Sequence, residues 1–270
     1  MQIVPLWETN IPLFEQEAGQ KPYMEVYLSS KAKQAAPFVI ICPGGAYEAL
    51  SADHEGRDVA RMFNENGIHA AVLFYRISPY HYPVMQLDGA RAVRVVRFHA
   101  SAWGVDPDKI GIMGFSAGGH FAALALTHYM ERREEEVGDE IDECSARPDF
   151  GVLCYAVISM HDGVTHDRTR EVLFGNGDGT APTAALSCED CIPSDCPPVF
   201  LWHSEDDACV SVQNTLGMAK ALCEKHIPCE VHIFPHSPHG IGMGDGKDPD
   251  QLHCGQWVSL CCNWLRRYLL

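Results

Sequence analysis

The chain has 270 residues, of which 46% are hydrophobic and 21% are charged, a balance typical of a globular protein and not of a disordered one. Lys and Arg number 20 against 36 Asp and Glu, and the net charge of −16 disfavours binding to nucleic acid or to a membrane surface. No apolar run approaches the roughly 18 residues of a membrane span, and the N-terminus lacks a signal-peptide pattern. We therefore expect a cytoplasmic protein of one or two domains.

Short apolar runs alternate with helical patterns along the chain. The runs that predict strands are Phe38–Cys42, His69–Tyr75, Ile110–Phe115, Phe150–Ile158, Val199–His203 and Glu230–Phe234. Helices are predicted from about His54 to Gly67, up to about Ala100, from Ser116 to about Tyr129, over Val212–Lys225 and from about Trp257. This alternation predicts an α/β fold with a mostly parallel central sheet and helices on both faces.

Two charged segments interrupt this pattern. In the helix that ends near Ala100, Arg91, Arg94 and Arg97 recur every three residues, which we interpret as a solvated face. The stretch Glu131–Glu143 is mostly charged, and we expect a solvated connection there. A mobile flap over a functional site is the alternative.

The 12 cysteines are fewer than the share that marks secreted disulfide scaffolds, so we expect reduced thiols. Cys188, Cys191 and Cys196 have a spacing loosely similar to that of zinc ligands. A structural zinc site needs four ligands, and the fourth would have to come from elsewhere, for example from His203. We therefore predict a surface loop there and no metal site.

The segment Gly114–Gly118 fits the pattern G-x-S-x-G, with Ser116 at its centre. It follows an apolar strand and opens a helix, which is the strand–turn–helix setting of an exposed nucleophilic serine. Small residues are needed because the turn is sharp, and the helix N-terminus supplies N–H groups for a developing oxyanion. The pattern therefore predicts a catalytic serine.

A serine nucleophile needs a base and an orienting acid, and both candidates follow later strands. Acidic residues come directly after Val199–His203, namely Glu205, Asp206 and Asp207. After Glu230–Phe234 come His236 and His239, of which His239, before Gly240, is the better base. Their order along the chain, with the serine first, the acid next and the histidine last, is that of a hydrolase sheet.

A glycine loop follows the first predicted parallel strand, with the sequence Pro43-Gly44-Gly45-Ala46-Tyr47. Glycines let backbone N–H groups approach a tetrahedral oxygen closely. We expect one donor from Ala117, after the serine, and others from this loop. A dinucleotide-binding fold is excluded because no G-x-G-x-x-G opens a first βα unit.

These motifs together give the chain a resemblance to the α/β-hydrolase superfamily, and within it to bacterial esterases related to acetyl-xylan esterases. The resemblance covers nearly the whole chain. It is carried by Pro43–Tyr47, Tyr75-Arg76, Asp88–Ala92, Asp106-Pro107, Gly114–His120, Arg147–Phe150, Trp202–Val210 and Phe234–Gly240.

Carried over by position, the resemblance makes Ser116 the nucleophile, His239 the base and Asp207 the acid. Asp207 is preferred because the family pattern has Val three residues after the acid, and Val210 fits. The resemblance further assigns the oxyanion hole to Gly45, Ala46 and Ala117, and a substrate contact to Tyr47. The chain departs from many relatives at three positions, which have His, Gly and Pro where this chain has Pro43, Ala46 and Ser211.

The resemblance implies a serine esterase for short-chain, mainly acetyl, esters of sugars or xylan fragments, without cofactor or metal. An amidase such as a formamidase, or a small peptidase, is an alternative on the same triad. A hydrolase fold kept only for binding is a third. Because the candidate residues lie at 116, 207 and 239, we expect one domain over residues 1–270. We expect no large lid, because no long insertion separates the strand at Phe150 from Asp207. The oligomeric state stays open, with a homo-oligomer as one option.

Overall fold

The computed structural model describes residues 1–129, 138–175, 183–244, 246 and 248–269. In this part of the chain, one eight-stranded sheet has the order β1-β2-β4-β3-β5-β6-β7-β8. Its strands are β1 (Gln2–Pro5), β2 (Tyr23–Tyr27), β3 (Ala36–Cys42), β4 (His69–Phe74), β5 (Val105–Phe115), β6 (Phe150–Cys154), β7 (Val199–Ser204) and β8 (Cys229–Phe234). β1 pairs antiparallel with β2, and β2 pairs antiparallel with β4, whereas all other neighbours are parallel.

Helices cover both faces of this sheet. They are α1 (Asp58–Glu65, after a π-helical turn at Asp53–Arg57), α2 (Val84–Trp103), α3 (Ser116–Thr127), α4 (Asp167–Phe174), α5 (Thr183–Leu186), α6 (Gln213–Glu224), α7 (Pro249–Cys254) and α8 (Trp257–Leu269). Side chains of α2, α3 and α6 belong to one hydrophobic core, and those of α1 and α8 to a second. The predicted α/β fold is thus confirmed. None of the described helices is long and apolar enough to cross a membrane.

The central strands are apolar along their whole length because helices bury them from both sides. All seven residues of β3 are buried, as are all five of β6. The two antiparallel strands were not predicted. β1 lies at the edge with three of its four residues exposed, and β2 carries Glu25, whose carboxylate Oε1 lies 2.7 Å from Arg57 Nη2.

The basic stripe of α2 is not solvated, so that interpretation was wrong. Arg91 and Arg94 are only 2% and 5% exposed. Arg91 donates to Asp139 and Asp142 at 2.6 and 2.7 Å, because residues 138–149 fold back over the helix and bring carboxylates with them. Residues 131–137 of the charged stretch lie outside the described part of the chain, and so does most of the alternative flap.

The cysteine-rich segment lies at the surface, where Asp190, Ser194 and Asp195 are exposed, but its cysteine side chains point inward. Cys188 and Cys196 are buried, and Cys191 is half-buried beside the short 3₁₀ turn at Cys188–Asp190. His203, the fourth ligand considered, has other hydrogen-bond partners. Its Nδ1 lies 2.8 Å from Thr215 Oγ1, and its Nε2 lies 2.9 Å from the Val210 carbonyl oxygen. Among the residues that the structure describes, no group of three His, Cys, Asp or Glu could hold a metal ion.

Candidate active site

Ser116 lies at the junction of β5 and α3, in the sharp turn that the sequence predicted. Its φ is +53°, a left-handed conformation that is uncommon for a residue other than glycine. The flanking glycines make this turn sterically accessible. A Cβ at Gly114 would lie 1.9 Å from the Gly118 carbonyl oxygen, and a Cβ at Gly118 would lie 2.2 Å from that of Cys42. The glycines therefore bring the serine, the helix N-terminus and the end of β3 together.

A continuous hydrogen-bonded chain joins Ser116, His239 and Asp207. Ser116 Oγ lies 2.8 Å from His239 Nε2, and His239 Nδ1 lies 2.7 Å from Asp207 Oδ2. The three residues follow β5, β8 and β7, whose carboxyl ends share one edge of the parallel sheet. A carboxylate at Nδ1 accepts a hydrogen bond from the ring N–H there, which leaves Nε2 free to accept the serine proton.

The surroundings of Asp207 keep its carboxyl group ionised. Backbone N–H groups of Cys209 and Val210 both donate to Oδ1 at 2.9 Å, and His203 Nε2 lies 3.4 Å from Oδ2. Burial raises the pKa of Asp207, but hydrogen bonds with His203 and His239 outweigh it and hold the pKa well below its usual range. The buried side chain is therefore a carboxylate over the physiological range of pH.

The neighbouring acid and histidine form a separate, exposed pair. Asp206 Oδ2 lies 3.0 Å from His236 Nδ1, and Asp206 Oδ1 accepts from the Ser237 N–H. The hydrogen bond with His236 lowers the pKa of Asp206 to about 2. Glu205 is exposed. Of the candidates left open by the residues alone, the structure thus brings Asp207 and His239 to Ser116, and it keeps the others outside.

The glycine loop lies against the serine as expected. Gly45, Ala46, Ser116 and His239 line a common cavity of about 220 Å³. Gly45 and Ala46 have φ of +134° and +54°, and a Cβ at Gly45 would lie 2.2 Å from the Ala49 carbonyl oxygen. Among hydrogen bonds within the described ranges, none uses the N–H of Gly45 or Ala46. Ala117 is in the first turn of α3, where N–H groups lack intrahelical acceptors.

Tyr47 does not reach this cavity, which corrects the expected substrate contact. Its side chain is fully buried, and its hydroxyl lies 2.9 Å from His120 Nδ1. His120 Nε2 lies 2.9 Å from the Leu186 carbonyl oxygen, so Nε2 donates there and Nδ1 accepts from the tyrosine. Burial lowers the pKa of His120 to about 4, which keeps the ring neutral. Tyr47 therefore supports the glycine loop from beneath.

Sequence reasoning missed a buried link between the glycine loop and the loop after β8 that carries His239, here called the histidine loop (residues 235–244). Glu55 Oε2 accepts from the Gly44 N–H at 2.9 Å, and Oε1 accepts from the Tyr155 hydroxyl at 2.8 Å. The same hydroxyl accepts from the Gly242 N–H at 3.0 Å, and the Tyr155 ring lies 4.9 Å from that of His239. The partners of Glu55 lie 11 and 100 residues away, so no local pattern marks it.

The sequence model of the BD-FAE family matches residues 24–222. Endo-1,4-beta-xylanase B of Butyrivibrio fibrisolvens is 32% identical over 90% of this chain and 38% of that protein. The acetylxylan esterase of Xylanibacter ruminicola is 30% identical over 82% of this chain and 45% of that protein. The chain thus spans less than half the length of either curated relative.

A solved structure is similar to nearly the whole of this chain. The crystal structure of an acetyl ester-xyloside bifunctional hydrolase from Caldicellulosiruptor lactoaceticus has a TM-score of 0.91 and 38% identity. The similarity covers 98% of this chain and 96% of that one. The chain therefore belongs to the BD-FAE family, has the α/β-hydrolase fold and is similar to acetylxylan esterases.

Proposed function

We propose that the chain hydrolyses carboxylic esters through an acyl-enzyme, with Ser116 as nucleophile, His239 as base and Asp207 as orienting acid. The observation that carries this proposal is the unbroken chain of contacts from Ser116 Oγ to His239 (2.8 Å) and from His239 to Asp207 (2.7 Å). Because a serine hydroxyl is a weak nucleophile, it needs a base at this distance. The ionised state of Asp207 favours the imidazolium that forms during proton transfer.

In the first half-reaction, Ser116 Oγ attacks the ester carbonyl carbon while His239 Nε2 takes the hydroxyl proton. The carbonyl oxygen becomes an oxyanion, which accepts hydrogen bonds from the N–H groups of Gly45, Ala46 and Ala117. Collapse of this intermediate breaks the bond to the alcohol, which leaves with the proton from His239. Water then gives a proton to His239 and attacks the acyl carbon. The bond from that carbon to Ser116 Oγ breaks, His239 returns the proton to Ser116 Oγ, and the carboxylic acid leaves.

The proposed substrates are short-chain, mainly acetyl, esters of carbohydrates such as xylan fragments. The cavity of about 220 Å³ is smaller than the range of roughly 300–1,000 Å³ for drug-sized ligands, which favours a short acyl group. The names of the matched acetylxylan esterase and acetyl ester-xyloside hydrolase support the same class. We also propose one domain for residues 1–270, because strands from Gln2 to Phe234 share one sheet.

Ser116→Ala tests the mechanism. We expect kcat on a nitrophenyl acetate to fall by roughly 10⁴- to 10⁶-fold, with an unchanged circular dichroism spectrum. A serine-reactive fluorophosphonate should label the wild type and not the variant. Turnover near the wild-type level would refute the mechanism, and failure of the wild type to react would favour a protein that only binds.

A substrate panel tests the class of ester. Nitrophenyl esters of increasing acyl length, acetylated xylosides, formyl amides and aminoacyl amides are compared by kcat/KM. We expect the acetyl esters to be fastest and the rate to fall as the acyl chain outgrows the cavity. Faster hydrolysis of either amide series would instead make the protein an amidase or a small peptidase.

A further inference from the structure

The imidazole of His166 lines the cavity beside Ser116 and His239, as that of His54 also does. His166 lies at the N-terminus of α4 and caps that helix. The backbone N–H of Thr169 donates to His166 Nδ1 at 3.4 Å, and the Thr169 hydroxyl lies 2.8 Å from the same nitrogen. The cap fixes the orientation of the ring, with Nδ1 facing the helix.

The cap also fixes which ring nitrogen carries the proton. A backbone N–H can only donate, so Nδ1 of His166 accepts and the proton of the neutral ring is on Nε2. Burial and the neighbouring His239 lower the pKa of His166, which favours the neutral ring. Nε2 lies 3.7 Å from Cys209 Sγ, and a thiol sulfur is only a weak acceptor. His166 therefore presents an N–H donor at the cavity wall, and among the described residues this donor has no strong acceptor.

The position of this donor relates it to the leaving alcohol. Cys209, its neighbour, is tied through its N–H to Asp207, on the side of the acid and base. His239 is the group that returns a proton to the leaving alcohol in the proposed reaction. The start of α4 is also tied to Glu48, the residue after the glycine loop, because Arg168 Nε donates to Glu48 Oε2 at 2.9 Å. His166 is thus held in a fixed place relative to Ser116.

We propose that the Nε2–H of His166 donates a hydrogen bond to a second oxygen of the leaving alcohol, such as a free hydroxyl beside the ester. This residue would favour esters of polyhydroxylated alcohols, such as sugars, over esters of phenols or simple alcohols. The inference rests on the proposed ester hydrolysis at Ser116. It deepens that proposal by naming a residue that selects the alcohol.

Two substitutions separate the donor from the helix cap. His166→Asn keeps a side-chain oxygen that can cap α4 but is too short to place a donor at the Nε2 position. His166→Gln reaches further and places an amide N–H near that position. His161→Ala is the control, because His161, in the loop before α4, hydrogen-bonds Asp190 and does not line the cavity. Thermal melting of each variant checks that it is folded.

The readout is the ratio of kcat/KM for a monoacetylated methyl xyloside to kcat/KM for phenyl acetate, which has no second alcohol oxygen. We expect the ratio to fall about 10-fold in His166→Asn, as one lost hydrogen bond implies, to recover substantially in His166→Gln and to stay constant in His161→Ala. A ratio within about twofold of wild type in His166→Asn, or an equal loss in both His166 variants, overturns the inference. Failure of the wild type to hydrolyse either ester would instead overturn the proposed function.

Discussion

Replacing Gly118 with Ala tests how closely α3 must approach the end of β3. Gly118 lies in the first turn of α3, two residues after Ser116. A Cβ there would lie 2.2 Å from the Cys42 carbonyl oxygen and 2.4 Å from that of Pro43, whereas real Cβ atoms essentially never come closer than 3.0 Å. Because both contacts are backbone atoms that cannot rotate away, the helix and the strand end must separate.

The expected cost follows from two opposed terms. Alanine in a helix is favoured over glycine by about 1 kcal/mol, whereas overpacking costs about 1–3 kcal/mol. With two backbone contacts the upper value applies, so we expect Gly118→Ala to lower the free energy of unfolding by about 2 kcal/mol. Gly217, in α6, is the matched control, because a Cβ there meets nothing within 4 Å. Gly217→Ala should gain about 1 kcal/mol.

Thermal and urea unfolding of the two variants measure this difference. About 3 kcal/mol corresponds to roughly 6–12 °C in Tm for a chain of this size. The same separation moves Ser116 away from the glycine loop, so kcat/KM on an acetyl ester should fall about 10²-fold in Gly118→Ala. Equal Tm values for the two variants would refute the argument that backbone contact limits this position.

Three further predictions concern the buried groups around the site. Tyr155→Phe removes the hydroxyl between Glu55 and Gly242, and it should lower the free energy of unfolding in urea by about 2–4 kcal/mol; a loss below about 0.5 kcal/mol would contradict that role. Asp207→Asn should lower kcat by about 10⁴-fold, because an amide no longer fixes the ring tautomer of the base; a kcat within about tenfold of wild type would count against it. Because the folded pKa of Asp207 is lowered, its contribution to stability is present above its unfolded pKa of about 3.9 and is lost as pH falls below that value. Urea unfolding at about pH 5 and pH 3 should therefore show a larger decrease for wild type than for Asp207→Asn, and equal decreases would contradict the lowered pKa.

The parallel part of the sheet could be predicted because its strands are buried on both faces and are apolar without interruption. The same reasoning fails for β1 and β2. β1 is an exposed edge strand, and Glu25 of β2 breaks the apolar pattern because it pairs with Arg57, 32 residues away. A local pattern carries no information on a charge whose partner is that distant. The buried Arg91 in α2 is the same case, since Asp139 and Asp142 are brought to it by a later segment.

Within the site, the serine could be predicted because its turn needs glycines at fixed positions next to it. The acid was harder to predict, because Glu205, Asp206 and Asp207 are adjacent and a local pattern does not indicate which side chain faces inward. The backbone N–H groups of Cys209 and Val210 turn towards Asp207, and Asp206 remains outside with its own histidine. Tyr47 was assigned to substrate through the resemblance, but the direction of its side chain depends on His120 in α3.

The aromatic packing beneath the histidine loop has a spectroscopic consequence. Trp202 in β7 and Trp257 in α8 stack with ring centroids 5.3 Å apart and planes 13° apart. Tyr155 packs edge-on against Trp202 at 4.9 Å and also lies against His239. Aromatic side chains that are held in fixed tertiary packing give a near-ultraviolet circular dichroism signal, which is lost when that packing loosens. The protein thus carries an intrinsic optical probe of whether β7, α8 and the histidine loop are correctly assembled.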